Sequence, residues 1–512
     1  MNEHTITECL LFPDIFDRPV VAKFDQRQSS SDGGAILLKA AERRLGLTSA
    51  WAAGLRDDRQ TGKVRHELRE LITQRVMALA LGYEDANDAA RLASDPIHKL
   101  LVGRDPVDGE DLASQPTLSR FENAPDRKEL LRMTEALADL VIERHRKRLH
   151  GRARRITIDL DPTDDPTHGQ QQFTFFNRHY DSYCYLPMVC FLTFNEEAEQ
   201  YLVAAVLRRG NATGSLGALG ILRRLMARVS DAFPKAKLRV RLDGGFASPE
   251  VLDFLDCEPK VEYLVNLAAN AVLKRKAESA MKWARRASEI SGQTEHVYGE
   301  CRYATKKTWP WKRRVIYKAE VVRAANKEPK DNPRFVVTNL KQSPQWIYEQ
   351  VYCQRGDVEN RIKELHDGMQ IGRTSCSNFL ANTFRVLLTA AAYVLMQEMR
   401  LHLSPTRHAR AQVSTLREHF LKLGAQVIVT ARRIVLHLPQ AFPFRDSLEI
   451  SLTYLSRCER ATATEPMSSP RISSISQMDY MELGFLVITR PMLKGFCPSR
   501  NWQKALRLAE LF

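Results

Sequence analysis

An α/β fold is predicted, in which an RNase H-like mixed sheet is interrupted by a β-rich insertion and preceded by helices. Three patterns in the 512 residues indicate it. Apolar residues recur at three- and four-residue spacing from about residue 33 to 148, which is typical of helices. Apolar and polar residues begin to alternate at residue 154, which is typical of a strand. The predicted elements from there are three strands, a helix, a strand, a helix and a strand, which is the order of an RNase H-like domain. A basic segment with aromatic and β-branched runs then follows, at 268–334.

These patterns divide the chain into six regions. They are an N-terminal helical domain (1–150), the first part of the sheet core (151–267), the basic β-rich insertion (268–334), the second part of the core (335–402), a C-terminal hairpin region (403–460), and a linker and tail (461–512). Within them we expect strands at 154–161, 183–194, 200–207, 238–242, 261–267 and 335–338, and helices at 215–230, 249–255 and 383–399. The run AQVIVTARRIVLHLP predicts a hairpin.

The charge of the chain indicates a polyanionic partner. The formal net charge is +15 and the pI is near 9.4. Residues 271–330 contain 16 Lys and Arg but only 6 Asp and Glu, so much of the excess lies in one short segment. A local basic patch of this kind favours nucleic acid as the partner.

Membrane, secreted and zinc-finger classes are disfavoured. No run of about 18 apolar residues suggests a membrane span, and the acidic, Pro-containing start does not resemble a signal peptide. The nine cysteines are scattered and never spaced as C-x2-C. A reducing cytoplasm is therefore the expected compartment.

Three carboxylates are the candidate catalytic residues. Asp161 and Asp243 each follow a predicted strand, and Glu359 lies on a predicted helix after the sheet. Carboxyl ends of strands are where open α/β sheets hold ligands, and two-metal phosphoryl transfer needs several carboxylates at one point. Asp159 shares a strand face with Asp161, so either could be the first ligand; D-x-T favours Asp161. Taken singly, each acid could instead be a turn former, a helix cap or a solvated side chain.

The helix of Glu359 carries further candidate residues. Tyr352, Arg355, Lys363 and His366 lie at spacings that put them on one helix face with Glu359. Cations and a phenol around one carboxylate suit a metal-bound phosphate. The pattern is Y-x2-R-x3-E.

Several segments together resemble the DDE transposases of bacterial insertion sequences, in the transposase DDE domain group 1 family. They are GYEDANDAARL, LASQPTLSRFEN, IDLDPTDDPTHGQQQFTFFNRHYDSYCYLP, RLDGGFASPEVL and YCQRGDVENRIKEL, and they span about residues 25–455. The resemblance implies a catalytic RNase H-like core with Asp161, Asp243 and Glu359 as the metal-binding triad. Related proteins continue the last motif as E-x6-K, where this chain has His366, with Lys363 nearby.

The resemblance also implies an activity and its partners. We expect Mg²⁺, for which Mn²⁺ can substitute, and cleavage of double-stranded DNA at transposon ends followed by joining of the 3′-OH to target DNA. Synapsis of two ends requires a homodimer or higher oligomer, in the bacterial cytoplasm at the nucleoid. The alternatives are an RNase H-like nuclease without strand transfer and a decayed, non-catalytic DNA-binding regulator.

Two other groups are candidate DNA contacts. Trp309, Trp311, Lys312, Arg313 and Arg314 combine rings that could stack on a base with cations that could bind phosphate. Packing within a hairpin is an equal alternative for each tryptophan. Arg120 lies in a capped helix that is either a DNA-recognition helix or an ordinary one.

Overall fold

The computed structural model of the chain describes residues 9–462, apart from 13–16, 19, 306, 307, 310 and 326. The sequence predictions for 463–512 therefore lie outside the described residues. Within the described part, one contiguous hydrophobic core joins the N-terminal helices, the central sheet and the C-terminal region.

The N-terminal region is helical, as predicted. It contains β1 (Cys9–Phe12), β2 (Val20–Ala22), β3 (Ser29–Ser30), α1 (Ile36–Leu45), α2 (Leu47–Gly54), α3 (Leu68–Leu81), α4 (Ala89–Leu92), α5 (Pro96–Val102), α6 (Gln115–Glu122) and α7 (Arg127–Arg148). Capping boxes start α3 and α7. Glu67 and Glu70 form the first, and Asp126 and Glu129 form the second, with each side chain accepting from the backbone N–H of the other residue. In each, two side chains satisfy backbone N–H groups that a helix start leaves free. α3 ends at Gly82, whose φ is 89°.

Twelve strands form the centre of the chain. They are β4 (Arg155–Pro162), β5 (Asp165–Pro166), β6 (Phe175–Asn177), β7 (Ser182–Tyr185), β8 (Met188–Phe194), β9 (Tyr201–Val206), β10 (Lys237–Leu242), β11 (Val261–Leu267), β12 (Glu295–Tyr303), β13 (Arg313–Val322), β14 (Lys330–Asp331) and β15 (Arg334–Thr338). The predicted strand 183–194 is two strands, because Pro187 cannot donate to a ladder. β7 instead joins a small sheet of order β5-β7-β6.

The main sheet is mixed. Its order is β12-β13-β15-β11-β10-β4-β8-β9, with β14 beside β13. β4, β10 and β11 are parallel. β8 pairs antiparallel with both β4 and β9, and β15 runs antiparallel to β11. β4 is buried along its length and β8 is buried at every position, so helices cover both faces as parallel sheets require.

The segment predicted as a β-rich insertion differs from that prediction. Residues Ala271–Ser291 form a 21-residue helix, and the strands that follow it extend the main sheet instead of forming a separate one. The helix starts at Asn270, whose side chain accepts from the N–H groups of Val272 and Leu273. Small and apolar residues at three- and four-residue spacing form its buried face.

The described residues after the start of the sheet contain eight α-helices. They are α8 (Ala218–Ala232), α9 (Pro249–Cys257), α10 (Ala271–Ser291), α11 (Pro344–Ile347), α12 (Gly356–Asp367), α13 (Phe379–His402), α14 (Val413–Leu416) and α15 (Arg445–Thr462). By length and composition α13 could cross a membrane, but 83% of its most apolar window is buried inside the protein. α13 is thus placed as a core helix, and it packs against α3 and β9.

The C-terminal hairpin forms as predicted. β16 (Ala425–Thr430) pairs with β17 (Arg433–His437), and Ala425 also pairs with Ser30 of β3. Gly33 and Gly34 allow this approach, since a Cβ on Gly34 would lie 1.6 Å from the carbonyl oxygen of Phe420. The segment that begins at β3 is therefore packed against the segment that contains β16.

Candidate active site

Asp161 and Asp243 leave neighbouring strands side by side. β10 is parallel to β4 with Leu242 opposite Leu160, so the next residues are Asp243 and Asp161. Adjacent strands lie about 4.8 Å apart. Asp161 is 7% exposed, whereas Asp243 is half-buried and accepts a hydrogen bond from the N–H of Gly245 at 2.9 Å.

Arg355 connects the third acid to the first. Its Nη2 donates to Asp161 Oδ2 at 2.5 Å, and its Nη1 lies 3.6 Å from Glu359 Oε1. Glu359 is in the first turn of α12 with its side chain 58% exposed. Arg355 therefore links Asp161 to Glu359, and the parallel register places Asp243 next to Asp161.

The carboxylates around Asp161 have the charge and the oxygen donors that a divalent cation requires. Burial, with the charges of Asp243 and Glu359, raises the pKa of Asp161 to about 7 against the opposing effect of Arg355. Such a site favours additional positive charge, and carboxylate oxygens are the ligands that Mg²⁺ prefers. Among the described residues, however, no three His, Cys, Asp or Glu side chains stand close enough to hold a metal as arranged.

Asp159, the alternative first ligand, is held elsewhere. Arg241 donates to both of its carboxylate oxygens at 2.8 Å, and also donates to the carbonyl of Val351 at 3.1 Å. Asp159 is 1% exposed. Both of its oxygens are satisfied by this ion pair, which ties β4 and β10 to the segment before α12. Asp161, by contrast, has an ion pair to one oxygen only, from Arg355 to Oδ2, and stays the predicted first ligand.

The predicted face around Glu359 is not one regular helix. A π-helical turn spans Tyr348–Tyr352 and a 3-10 turn spans Cys353–Arg355 before α12 begins. π-turns are rare and occur frequently at functional sites. Tyr352 is half-buried with its ring 5.3 Å from that of Tyr348, while Lys363 is exposed.

His366 contacts the strand of Asp161 instead of lying free on the surface. Its Nε2 is 2.7 Å from the hydroxyl of Thr163, two residues after Asp161. Burial lowers its pKa, so the ring is neutral near pH 7. His366 therefore does not supply the fixed positive charge of a lysine at this position.

Asp165 is a fully buried carboxylic acid four residues after Asp161. Its Oδ2 accepts from the hydroxyl of Thr374 at 2.7 Å, while Oδ1 has no partner among the described residues. Gly372 leaves room there, because an added Cβ would lie 3.3 Å from that oxygen. Burial raises the pKa of Asp165 to about 8, so the group is mainly protonated at neutral pH.

Asp165→Asn should change how stability depends on pH. The folded state keeps a proton that the unfolded chain, with its pKa of 3.8, releases. The contribution of this proton to the free energy of unfolding is fully present below about pH 4 and is lost as the pH rises to about 8. Asparagine stays neutral at every pH, so the free energy of unfolding of D165N should rise by about 1–3 kcal/mol relative to that of wild type between these two pH limits. Urea unfolding at pH 5 and pH 8 measures it, with Asp164→Asn as the control; parallel behaviour of wild type and D165N would contradict the assignment.

A buried ion network holds α12 in place. Its centre is Glu364, which is 6% exposed and accepts hydrogen bonds from Arg361 (3.0 Å), the Tyr393 hydroxyl (2.7 Å), the Val413 N–H (2.7 Å) and Arg400. Arg400 also donates to Glu199 at 2.6 Å. Because every lone pair on this carboxylate has a donor, the network fixes the helix of Glu359 against α13.

Arg208 shapes the backbone next to Asp243. It is 7% exposed and donates to the carbonyls of Leu186 (2.9 Å), Thr213 (3.0 Å), Gly214 (3.1 Å) and Leu216 (3.0 Å). The loop it holds packs on the turn after Asp243, since a Cβ on Gly214 would lie 2.9 Å from the Cα of Gly245. Burial lowers the pKa of Arg208 to about 10, and nearby Tyr180 and Asp243 oppose this.

The family model described as transposase DDE domain group 1 matches residues 12–460. The chain belongs to this family. No curated protein matches it. The match covers the sheet, the three acids and the hairpin β16–β17, and so confirms the family to which the sequence motifs pointed.

The basic tryptophan segment of this chain is partly buried. Trp309 is 8% exposed, and Arg313 is 3% exposed between the two rings, 4.7 Å from the centroid of Trp309 and 5.2 Å from that of Trp311. Arg313 also pairs with Asp253 (2.6 Å) and Asp256 (2.7 Å). Both Trp309 and Arg313 are therefore used in packing, which favours the packing alternative, and their contact with DNA stays a prediction.

The remaining predicted contacts are nearer the surface. Lys312 and Trp311 are exposed, although the indole of Trp311 donates to Asp256 at 3.1 Å. Arg314 is half-buried and bound to Glu300. Arg120 is exposed on α6, which begins at Ser114 as predicted. These positions leave Lys312 and Arg120 free to meet a phosphate.

Sequence reasoning missed the arginines that organise the transposase site. Arg239 and Arg241 lie on β10 and are 5% and 4% exposed. A charged side chain inside a buried strand needs a partner, and Arg239 donates to Glu262 at 3.0 Å as Arg241 does to Asp159. The alternation LRVRLDGG was the available signal, but it does not say which acid each arginine binds.

Proposed function

We propose that this transposase cleaves phosphodiester bonds at transposon ends and joins the freed 3′-OH to target DNA, using Mg²⁺ bound by Asp161, Asp243 and Glu359. The observation that supports the proposal is the placement of Asp161 and Asp243 at the ends of two neighbouring parallel strands, with Arg355 contacting both Asp161 and Glu359. Mg²⁺, or Mn²⁺ in its place, would supply a bound nucleophile and stabilise the leaving oxygen.

The sheet supports this assignment. The order β9-β8-β4-β10-β11, with two antiparallel and two parallel pairs, supports the proposal of an RNase H-like core. In it the first acid lies on the central strand β4 and the second on the neighbouring β10. We propose that the residues between β11 and α12 are an elaboration of that core.

The protein's own groups have distinct parts in the reaction. Asp161 and Asp243 hold their positions through the parallel register and through the contacts of Arg208 and Gly245. Arg355 would exchange its pairing with Asp161 for a DNA phosphate when cations neutralise the acids, and Lys363 and Tyr352 would bind flanking phosphates. A homodimer or higher oligomer would hold two ends together.

The proposal is tested by excision and joining of a marked DNA that carries the inverted repeats flanking this reading frame. We expect cutting and joining in Mg²⁺ and neither in EDTA. Cutting without joining would assign the nuclease alternative. Binding without cutting in either condition would assign the regulator and reject a catalytic role.

A further inference from the structure

Exposed aromatic side chains cluster on one hairpin, formed by β6 and β7 and called here the aromatic hairpin (residues 173–185). Phe173 is 56% exposed, Phe176 49% and Tyr183 63%. Phe176 and Tyr183 are direct cross-strand partners with ring centroids 5.6 Å apart and an edge-to-face angle of 66°. Large rings left together at a surface mark an interaction site.

The aromatic hairpin is anchored firmly to the protein. The Gln172 N–H donates to the carbonyl of Ser377 at 3.0 Å, and the Tyr185 hydroxyl donates to the carbonyl of Gln172 at 2.7 Å. Phe173 keeps a φ of 61°, a strained value for a side chain of this size. Its ring contacts Phe379 at the start of α13, 5.4 Å away. The exposed rings are therefore presented in a fixed arrangement.

The hairpin lies beside Asp161 and Asp243. β7 pairs with β5, which begins at Asp165, four residues after Asp161. At the tip, burial and then the charges of Asp164, Asp161 and Asp243 raise the pKa of Tyr180 to about 12. A strand whose phosphate reached Asp161 would pass this hairpin.

Cations accompany the rings. Arg178 at the tip is exposed, as is Arg209, which follows β9 and bridges to Tyr185 of the hairpin. Neither arginine pairs with a carboxylate in the part of the chain that the structure describes. Rings interleaved with unpaired arginines fit a nucleic acid strand, whose bases stack while its phosphates bind cations.

We propose that the aromatic hairpin stacks unpaired bases of the DNA strand next to the scissile phosphate, with Phe176 and Tyr183 as the stacking rings and Arg178 and Arg209 at the phosphates. This rests on the proposed function. Bases of a paired duplex are covered by their neighbours, so the hairpin would select DNA whose end is splayed open. A stacked base is worth roughly 5- to 100-fold in affinity.

The test compares two probes of about 30 base pairs made from the DNA end flanking this reading frame, a length that exceeds a single-strand site of roughly 4–16 nucleotides. One is fully paired, and the other has a short run of mismatched terminal nucleotides with 2-aminopurine among them. Full-length protein is titrated in EDTA. We expect wild type to bind the splayed probe about tenfold more tightly and to quench its 2-aminopurine, and F176L/Y183L to lose both effects while binding the paired probe as before. W283A, which removes a 67% exposed ring from α10, is the control.

Leucines keep apolar bulk at both positions, and thermal unfolding of each variant verifies folding. The inference is overturned if wild type shows no preference for the splayed probe, or if F176L/Y183L keeps it. A change from dimer to monomer in F176L/Y183L, measured by light scattering, would assign the surface to contact between copies and also overturn it. Loss of the proposed function is distinguishable, because wild type would then fail to cut the paired end in Mg²⁺ whatever its binding preference.

Discussion

Glu359→Gln should abolish DNA cleavage and joining while leaving DNA binding intact. Glu359 is 58% exposed and lies 3.6 Å from Arg355, a contact too long to hold α12 in place, so the amide should not disturb the fold. The loss of one carboxylate from a metal-dependent centre should lower the cleavage rate at least about 1,000-fold, or roughly 4 kcal/mol of transition-state stabilisation. Asp161→Asn and Asp243→Asn should behave alike.

Asp357→Asn is the matched control for that result. Asp357 is an exposed acid in the same first turn of α12, two residues before Glu359. Cleavage in Mg²⁺ and binding in EDTA are measured on one labelled DNA end for each variant. Equal loss of activity in D357N and E359Q would show that general negative charge on α12 matters, not a ligand at Glu359.

Glu364→Ala should lower the free energy of unfolding by about 3–5 kcal/mol, because it removes the buried carboxylate at the centre of the network and leaves its arginines with Glu199 alone. Arg400 and Arg361 are 2% and 17% exposed at the side chain, so water cannot fully replace the lost partner. Guanidinium unfolding followed by far-UV circular dichroism measures the change. Near-wild-type stability would show that the network does not hold α12.

The control for E364A is Asp331→Ala, which breaks an exposed ion pair. Arg285 and Asp331 are 37% and 43% exposed, and such pairs contribute at most about 1 kcal/mol. A loss in D331A as large as that in E364A would mean that burial is not what distinguishes the two pairs.

Elements with a regular pattern were predictable, and contacts between distant residues were not. Alternation over residues 154–161 identified β4, and the run 425–439 identified β16 and β17 with their turn. The prediction of a β-rich insertion was wrong at α10. The sequence of α10 has a helical period, but the prediction gave more weight to the aromatic and β-branched residues that follow it in the chain. It also missed Pro187 as the break between β7 and β8.

The acids of the candidate site could be proposed from the sequence, but the residues that support them could not. Strand ends and the Y-x2-R-x3-E spacing predicted Asp243, Glu359 and either Asp159 or Asp161 as the ligands. The pairing of Arg241 with Asp159 spans 82 positions and that of Arg355 with Asp161 spans 194. Only the fold brings such residues together, so spacing in the sequence cannot decide between Asp159 and Asp161.

Binding of Mn²⁺ tests the central claim most directly, because it reports the metal site without requiring the correct DNA end. Titration calorimetry would compare wild type with D161N, D243N and E359Q, and with D159N and D357N. The account predicts that each of the first three weakens Mn²⁺ binding at least about tenfold, roughly 1.4 kcal/mol, while D357N binds as wild type does. Unchanged binding in D161N together with loss in D159N would contradict it and move the first ligand to Asp159.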